Sequence, residues 1–388
     1  MKDSELSSRL SSNMFKYDTQ DLEPKIKKKN IIFIVLIIIF LIILGILIIV
    51  ILTSDKDDNK KSHYNPIPKN EDLEFTEEEH RTFARKAASQ TMVLATNNGG
   101  GLPLKRTDKV VLFGYGTNNT IYGGTGSGEV YDRGTSKGIH PVNVLEGIEN
   151  FREKFFYYEN KIGYEIGIPG FESDRNLTED DIYNMSLKDD GVERTVAILT
   201  ISRKSGEGSD RRQDSSNTGT LLSNSEIETY NVLNKYFDKI IVVLNVGSVI
   251  ELNDIEKNEK TSILIAWLPG MEAGNAIADV LVGEENPSGH LTDTWAKTIN
   301  DYPTTSTFLE NPLYVKYKEG LFVGYRYFEE DEDKQAKIVF PFGHGLSYTK
   351  FTMENECIYD AKKKQFKITS NIKNVGDVPG RESRPSLC

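Results

Sequence analysis

One carboxylate in this chain stands between two glycines, Gly206-Glu207-Gly208, within the stretch Ile201-Ser202-Arg203-Lys204-Ser205-Gly206-Glu207-Gly208-Ser209-Asp210-Arg211-Arg212. Glycine on either side removes side-chain bulk and permits unusual dihedrals, so a substrate or another backbone can approach the acid closely. An acid so placed can act as a mobile general acid if its surroundings adjust its pKa. A solvated turn in which Glu and Arg merely balance charge is the competing reading. The loop follows the apolar run Val196-Ala197-Ile198-Leu199-Thr200. It therefore leaves the C-terminal end of a buried strand, where open α/β sheets usually place ligand chemistry.

A second glycine-rich stretch, Gly123-Gly124-Thr125-Gly126-Ser127-Gly128-Glu129, follows the apolar run at residues 110–113. Its glycines at 124, 126 and 128 read G-x-G-x-G. A dinucleotide loop needs G-x-G-x-x-G and a P-loop needs G-K-[ST], and neither is present. What remains is a flexible, hydrogen-bonding loop on the same sheet edge as Glu207, suited to a polyhydroxylated ligand.

A chain of 388 residues has room for two or three domains. Its net charge of −11 leaves no basic stripe to neutralise phosphates, which argues against a nucleic-acid partner. Two cysteines, Cys357 and Cys388, and five scattered histidines give neither a disulfide framework nor metal-ligand spacing. No metal or organic cofactor is implied.

Residues 31–52 are apolar apart from Gly45, and as a helix they span the hydrocarbon core of a membrane. A cleaved signal peptide would have a shorter apolar region and a small-residue cleavage site. Lys25, Lys27, Lys28 and Lys29 crowd the N-terminal flank, whereas charges on the other side nearly cancel. Residues 1–30 are thus expected to be a cytoplasmic tail, residues 31–52 a signal anchor, and the main domain extracellular or lumenal. Residues 53–73 read as a polar stalk. Sequons begin at Asn118, Asn176 and Asn184 and would face the glycosylation machinery.

Thr76 and Glu79 form a capping box, after which Phe83, Ala84, Ala87, Ala88 and Thr91 recur at helical spacing and predict the inner face of a helix. Strands are predicted at 109–113, 195–201, 240–246 and 263–268. Helices are predicted at 142–151, at 225–237 with a Ser225/Glu228 capping box, and at 272–282 ending at Gly283. Such alternation indicates an α/β sandwich, a mostly parallel sheet covered by helices on both faces, over residues 74–312. Beyond it, 320–328 and 340–348 are aromatic and glycine-rich and read as extended segments. Residues 351–359 and 365–375 read as an antiparallel hairpin, the start of a partial β-sandwich within a linker-plus-sandwich region at 313–388.

Several motifs then occur in one order: Ala84-Arg85-Lys86-Ala87-Ala88, Met92-Val93-Leu94, Leu102-Pro103-Leu104, the loops around Ser127 and Glu207, and Leu244-Asn245-Val246-Gly247. They continue through Trp267-Leu268-Pro269-Gly270-Met271-Glu272-Ala273-Gly274, Asn286-Pro287-Ser288-Gly289 and the FPFGHGLSYT stretch. This succession resembles the C-terminal α/β sandwich domain of family 3 glycoside hydrolases, the β-glucosidase family, followed by the start of a fibronectin type III-like domain. The resemblance implies that Glu207 is the general acid/base and that the loop around Ser127 borders the sugar pocket. Gly126, Ser127 and Arg203 are the expected substrate contacts. Arg203, Arg211 and Arg212 are further expected to hold Glu207 or Asp210 in place, whereas Trp267 and Trp295 are expected to pack.

Retaining glycosidases need a second carboxylate about 5–5.5 Å from the first. In the family it belongs to a separate (β/α)8 barrel, for which this chain has no room, and Ser173-Asp174 is followed by Arg175 and not by the family's Trp. No nucleophile is assigned. Some members place the sandwich first and the barrel last, which suits an anchor directly before the sandwich. The tail at 383–388 departs from the pattern, so truncation, a frameshift or a misassigned coding sequence is expected. Two functions follow. One is a membrane-anchored β-glucosidase-like hydrolase of terminal β-linked sugars on an oligosaccharide or glucoside, of which this chain holds the proton donor. The other is a non-catalytic, membrane-tethered carbohydrate-binding domain.

Overall fold

Apolar runs of strand length, spaced by helices, assemble into one six-stranded sheet. The computed structural model describes residues 76–129, 140–154, 156–157, 178–208, 210–308, 311 and 313–382. The expected tail, anchor and stalk, and the sequon at Asn176, lie outside these. Among the described residues no helix is long and apolar enough to cross a membrane.

In chain order the first elements are α1 (Glu77–Thr91), β1 (Val93–Asn97), β2 (Asp108–Phe113), α2 (Val144–Glu149), β3 (Phe156–Tyr157) and α3 (Glu179–Ser186). Then come β4 (Arg194–Arg203), α4 (Asn224–Tyr236), β5 (Lys239–Val246), β6 (Thr261–Ile265), α5 (Ala273–Val282) and β7 (Trp295–Ala296). Two short helices, α6 (Tyr325–Phe328) and α7 (Glu332–Gln335), precede β8 (Ile338–Phe340), β9 (Phe351–Asp360) and β10 (Gln365–Asn374).

The sheet order is β1-β6-β5-β4-β2-β3. All neighbours are parallel except β1, which runs antiparallel to β6. Alternate residues of β4 and β5 enter two separate cores. Ala197, Leu199, Val242 and Leu244 pack with Ile182, Tyr230 and Leu233 of α3 and α4. Val196, Ile198, Ile241 and Val243 pack with Val144 and Ile148 of α2 and Ile277 and Leu281 of α5. Both faces are covered, so the strands are apolar at nearly every position.

Several local expectations are corrected. The predicted inner face of α1 holds only in part: Ala88 is buried as expected, but Phe83 is 75% exposed, Ala84 and Thr91 are exposed, and Ser89 is buried in their stead. Arginines occupy the inner side instead: Arg81 donates to Glu272 at 2.6 Å, and Arg85 grips both carboxylate oxygens of Asp279 at 2.5 and 2.6 Å. Glu272, which caps α5, and Asp279 within it are the acids that the charged side of α1 meets. The helix α4 starts one residue early and its cap lies two residues before the predicted one, at Ser223, with Glu226 accepting from the Ser223 amide. Strand β4 runs on to Arg203, which shortens the loop before Glu207. Strand β6 stops at Ile265, because Trp267 turns the chain with φ of 59°. The stretch 320–328 holds the helical turn α6 in place of a fully extended segment.

The segment after residue 312 returns to the sandwich, for β8 pairs with β7 and Leu346 bridges Leu94. The hairpin β9–β10 forms as expected. Its register puts Met353, Tyr359, Phe366, Ile368 and Ile372 on one face, and Glu354, Glu356, Lys367 and Lys373 on the other. Cys357 of β9 is disulfide-bonded. Of the described sequons, Asn184 is exposed on α3, while Asn118 is half-buried.

Candidate active site

The C-terminal ends of the parallel strands β2 and β4 lie side by side, so the loops that leave them are neighbours. They are joined by backbone. The Thr125 amide donates to the Ser205 carbonyl at 3.2 Å and the Glu207 amide to the Thr125 carbonyl at 3.2 Å. This isolated parallel bridge requires glycine. A Cβ on Gly206 would lie 2.2 Å from the Thr125 nitrogen, and one on Gly126, whose φ is +71°, would lie 2.6 Å from the Glu207 Cβ. The glycines that mark both loops in the sequence are there for this contact.

Past the bridge, one helical turn at Gly126–Gly128 presents Ser127 to the acid. Ser127 donates twice to Glu207 Oε2, from its amide at 2.8 Å and from its hydroxyl at 2.5 Å. Lys204 and Glu129 form a looser ion pair at 3.6 Å between the same two loops. Glu207, Ser127 and Gly126 are thus brought together as expected.

Glu207 is exposed, and its carboxyl is held below the ordinary carboxylate range. The Ser127 hydroxyl is the larger cause and its amide the second, since both bond the ionised form; slight desolvation opposes them. A proton donor needs the opposite shift. No carboxylate among the described residues contributes to the shift. Ser127→Ala removes the hydroxyl donor, so the Glu207 midpoint should rise toward its ordinary value, as carboxyl-carbon NMR titration would show. The bond's contribution to loop order is present above the ordinary Glu pKa and is lost as pH falls through the lowered one.

Arg203 is not at this site. It is 4% exposed and clasps both oxygens of Glu226 at 2.7 and 2.6 Å, while donating to the Ser202 and Leu221 carbonyls. A guanidinium so engaged cannot reach a sugar, and the expected contact is corrected to a structural one. Arg211 donates to the carbonyls of Thr218, Gly219 and Val249 and to Ser248 Oγ, which folds the loop after Glu207 back on itself. Desolvation first, and then the Arg203 charge, push Arg211 down to about 10. Among the described residues neither arginine holds Glu207 or Asp210. Trp295 is 2% exposed and meets Trp267 edge-on with ring centroids 6.5 Å apart, as packing residues do.

Two open cavities lie nearby. One of about 940 Å³ runs from Gly208 and Arg211 to Tyr302 and Phe308. The other, of about 700 Å³, is walled by Gly247, Trp267, His290 and Phe342. Among the described residues no group of three or more His, Cys, Asp or Glu gathers to hold a metal. Sequence reasoning missed the Glu226 clasp, although Glu226 stands three residues after Ser223, at the capping-box spacing.

The profile of the glycosyl hydrolase family 3 C-terminal domain matches residues 92–348. Beta-glucosidase A of Butyrivibrio fibrisolvens is 33% identical over 356 residues, covering 82% of this chain and 42% of that protein. Thermostable beta-glucosidase B of Acetivibrio thermocellus is 30% identical over 320 residues, covering 81% of this chain and 39% of that protein. The solved structure of beta-glucosidase 3B from Thermotoga neapolitana in complex with glucose aligns with a TM-score of 0.65 and 31% identity, over 77% of this chain and 42% of that one. The chain therefore spans between 39% and 42% of the length of these three proteins.

Proposed function

Because the chain belongs to glycosyl hydrolase family 3, its C-terminal domain matching over residues 92–348, we propose that it carries the proton-donating half of a retaining β-glucosidase active site. Glu207 is the general acid and base in this reading. The carrying observation is the backbone bridge between Thr125 and Gly206, which sets the Glu207 loop and the Ser127 loop together at the C-terminal sheet edge. In the first step Glu207 gives its proton to the glycosidic oxygen as the bond to the anomeric carbon breaks, and a second carboxylate bonds that carbon. In the second, water attacks the same carbon, loses a proton to Glu207, and the carboxylate leaves.

The second carboxylate would come from outside the described residues, in a barrel domain of roughly 250 residues like that of its relatives' family. Its charge beside Glu207 would offset Ser127 and raise the acid's proton affinity. The substrate class we propose is a glucoside or oligosaccharide with a terminal β-linked sugar. We also propose a membrane tether through residues 31–52 with the sandwich outside the cytosol, on the strength of the apolar run and the lysines before it.

The ionised state of Glu207 favours a second reading, sugar binding without hydrolysis, because an ionised carboxylate accepts hydrogen bonds from sugar hydroxyls. Two measurements separate these. The purified chain should hydrolyse an aryl β-glucoside no faster than its Glu207→Gln variant, and Glu207-dependent turnover would mean that the second carboxylate is already present. Glucose titrated to tens of millimolar should shift the NMR signals of Ser127 and Gly208; silence at both would remove the sugar from this site in either reading.

A further inference from the structure

We propose that Asn245 is the positioning residue that holds the Glu207 and Ser127 loops in one register. Asn245 sits near the end of β5, is 0% exposed, and uses all four hydrogen-bonding valences of its amide. Its oxygen accepts from the Ile121 amide at 2.6 Å and from Ser202 Oγ at 3.0 Å. Its nitrogen donates to the Ile121 carbonyl at 2.9 Å and to the Trp267 carbonyl at 2.7 Å.

Each partner begins a part of the site. Ile121 stands two residues before the glycine-rich loop of Ser127, Ser202 stands three residues before Ser205 and its bridge to Thr125, and Trp267 walls the cavity of about 700 Å³. Trp267 also holds a left-handed backbone conformation that a bulky residue rarely adopts, at φ 59°. The Asn245 bond to its carbonyl helps to keep it there. One buried amide thus joins the starts of both loops and the cavity wall, and a fully satisfied buried polar group fixes geometry more tightly than apolar packing does.

Positioning is distinguishable from plain stability. The lowered carboxyl of Glu207 depends on Ser127 reaching it, and the charged neighbours Glu129, Lys204 and Asp210 contribute nothing to that shift. A role for Asn245 in catalysis rests on Glu207 being the proton donor, but the Glu207 titration reads geometry alone. A chain that hydrolyses nothing still tests the clamp.

In Asn245→Ala the Glu207 midpoint should rise toward its ordinary value, and the Ser127 amide signal should follow the Glu207 titration less closely. Val243→Ala, a cavity on the same strand on the core side, should lower the melting temperature while leaving both signals as in the parent. Unchanged titration in Asn245→Ala, or an equal rise in Val243→Ala, overturns the proposal. Should Asn245→Ala fail to fold, Ser202→Ala removes one of the four bonds with little packing lost. A smaller rise in the same direction then supports the clamp, and no rise refutes it.

Discussion

Replacing Glu226 with alanine should cost the folded domain about 3–5 kcal/mol, the range seen when one partner of a buried ion pair is removed. Arg203 would be left charged at 4% exposure with both of its strongest acceptors gone. Its Nε already has no hydrogen-bond partner, and its charge already depresses Arg211. The same substitution opens the capping box of α4, since Glu226 Oε2 also accepts from the Ser223 amide at 2.7 Å. Chemical denaturation gives the number. A loss below about 1 kcal/mol would mean that Arg203 finds solvent, as a surface arginine does. Replacing both partners by apolar residues, Arg203→Met with Glu226→Leu, should cost less than Glu226→Ala alone, because no lone charge remains inside.

Gly274→Ala should lower the melting temperature by roughly 6–12 °C, corresponding to about 3 kcal/mol, the upper part of the usual range for overpacking. An added Cβ would lie 1.7 Å from the Asn143 carbonyl oxygen, and that carbonyl belongs to the cap of α2. Across the contact, a Cβ on Gly147 would lie 2.1 Å from the Gly274 carbonyl carbon, so α2 and α5 meet glycine against glycine. Backbone, and not a flexible side chain, is what would have to give. The first residue of α2, Val144, donates its amide to Thr120 Oγ1 at 3.0 Å, so a displaced helix would disturb the approach to the Ser127 loop as well. Gly128 is the control. Nothing lies within 4 Å of a Cβ there, and Gly128→Ala should melt with the parent.

The parallel sheet was readable in advance because strands covered on both faces must be apolar throughout, and 240–246 has no other reading. The stop at Gly283, with φ of 80°, was equally plain. Strand β1 was missed because Val93–Asn97 follows α1 after a single residue, and a short apolar run beside a helix looks like its continuation. The face of α1 was misjudged for a different reason. Periodicity assumes that alanines and Phe83 point inward, but two arginines had buried acids to meet on a helix nearly two hundred residues away.

At the site, the glycine spacing and the family resemblance together located Glu207 and Ser127, and the structure joins them. The ionised state of the acid was not legible, because it depends on which atoms of Ser127 point at it. Nor was the burial of Arg203: an arginine written next to a functional loop looks identical whether it faces solvent or a glutamate 23 residues later.

The backbone bridge between Thr125 and Gly206 bears on how such sheets can be re-engineered. Two loops stitched at that point form a matched pair, and grafting either one alone from a relative would import half a seam. A chimaera that carries the acid loop should accept it only when residues 123–129 travel with it, so length changes in the two segments should be inherited together.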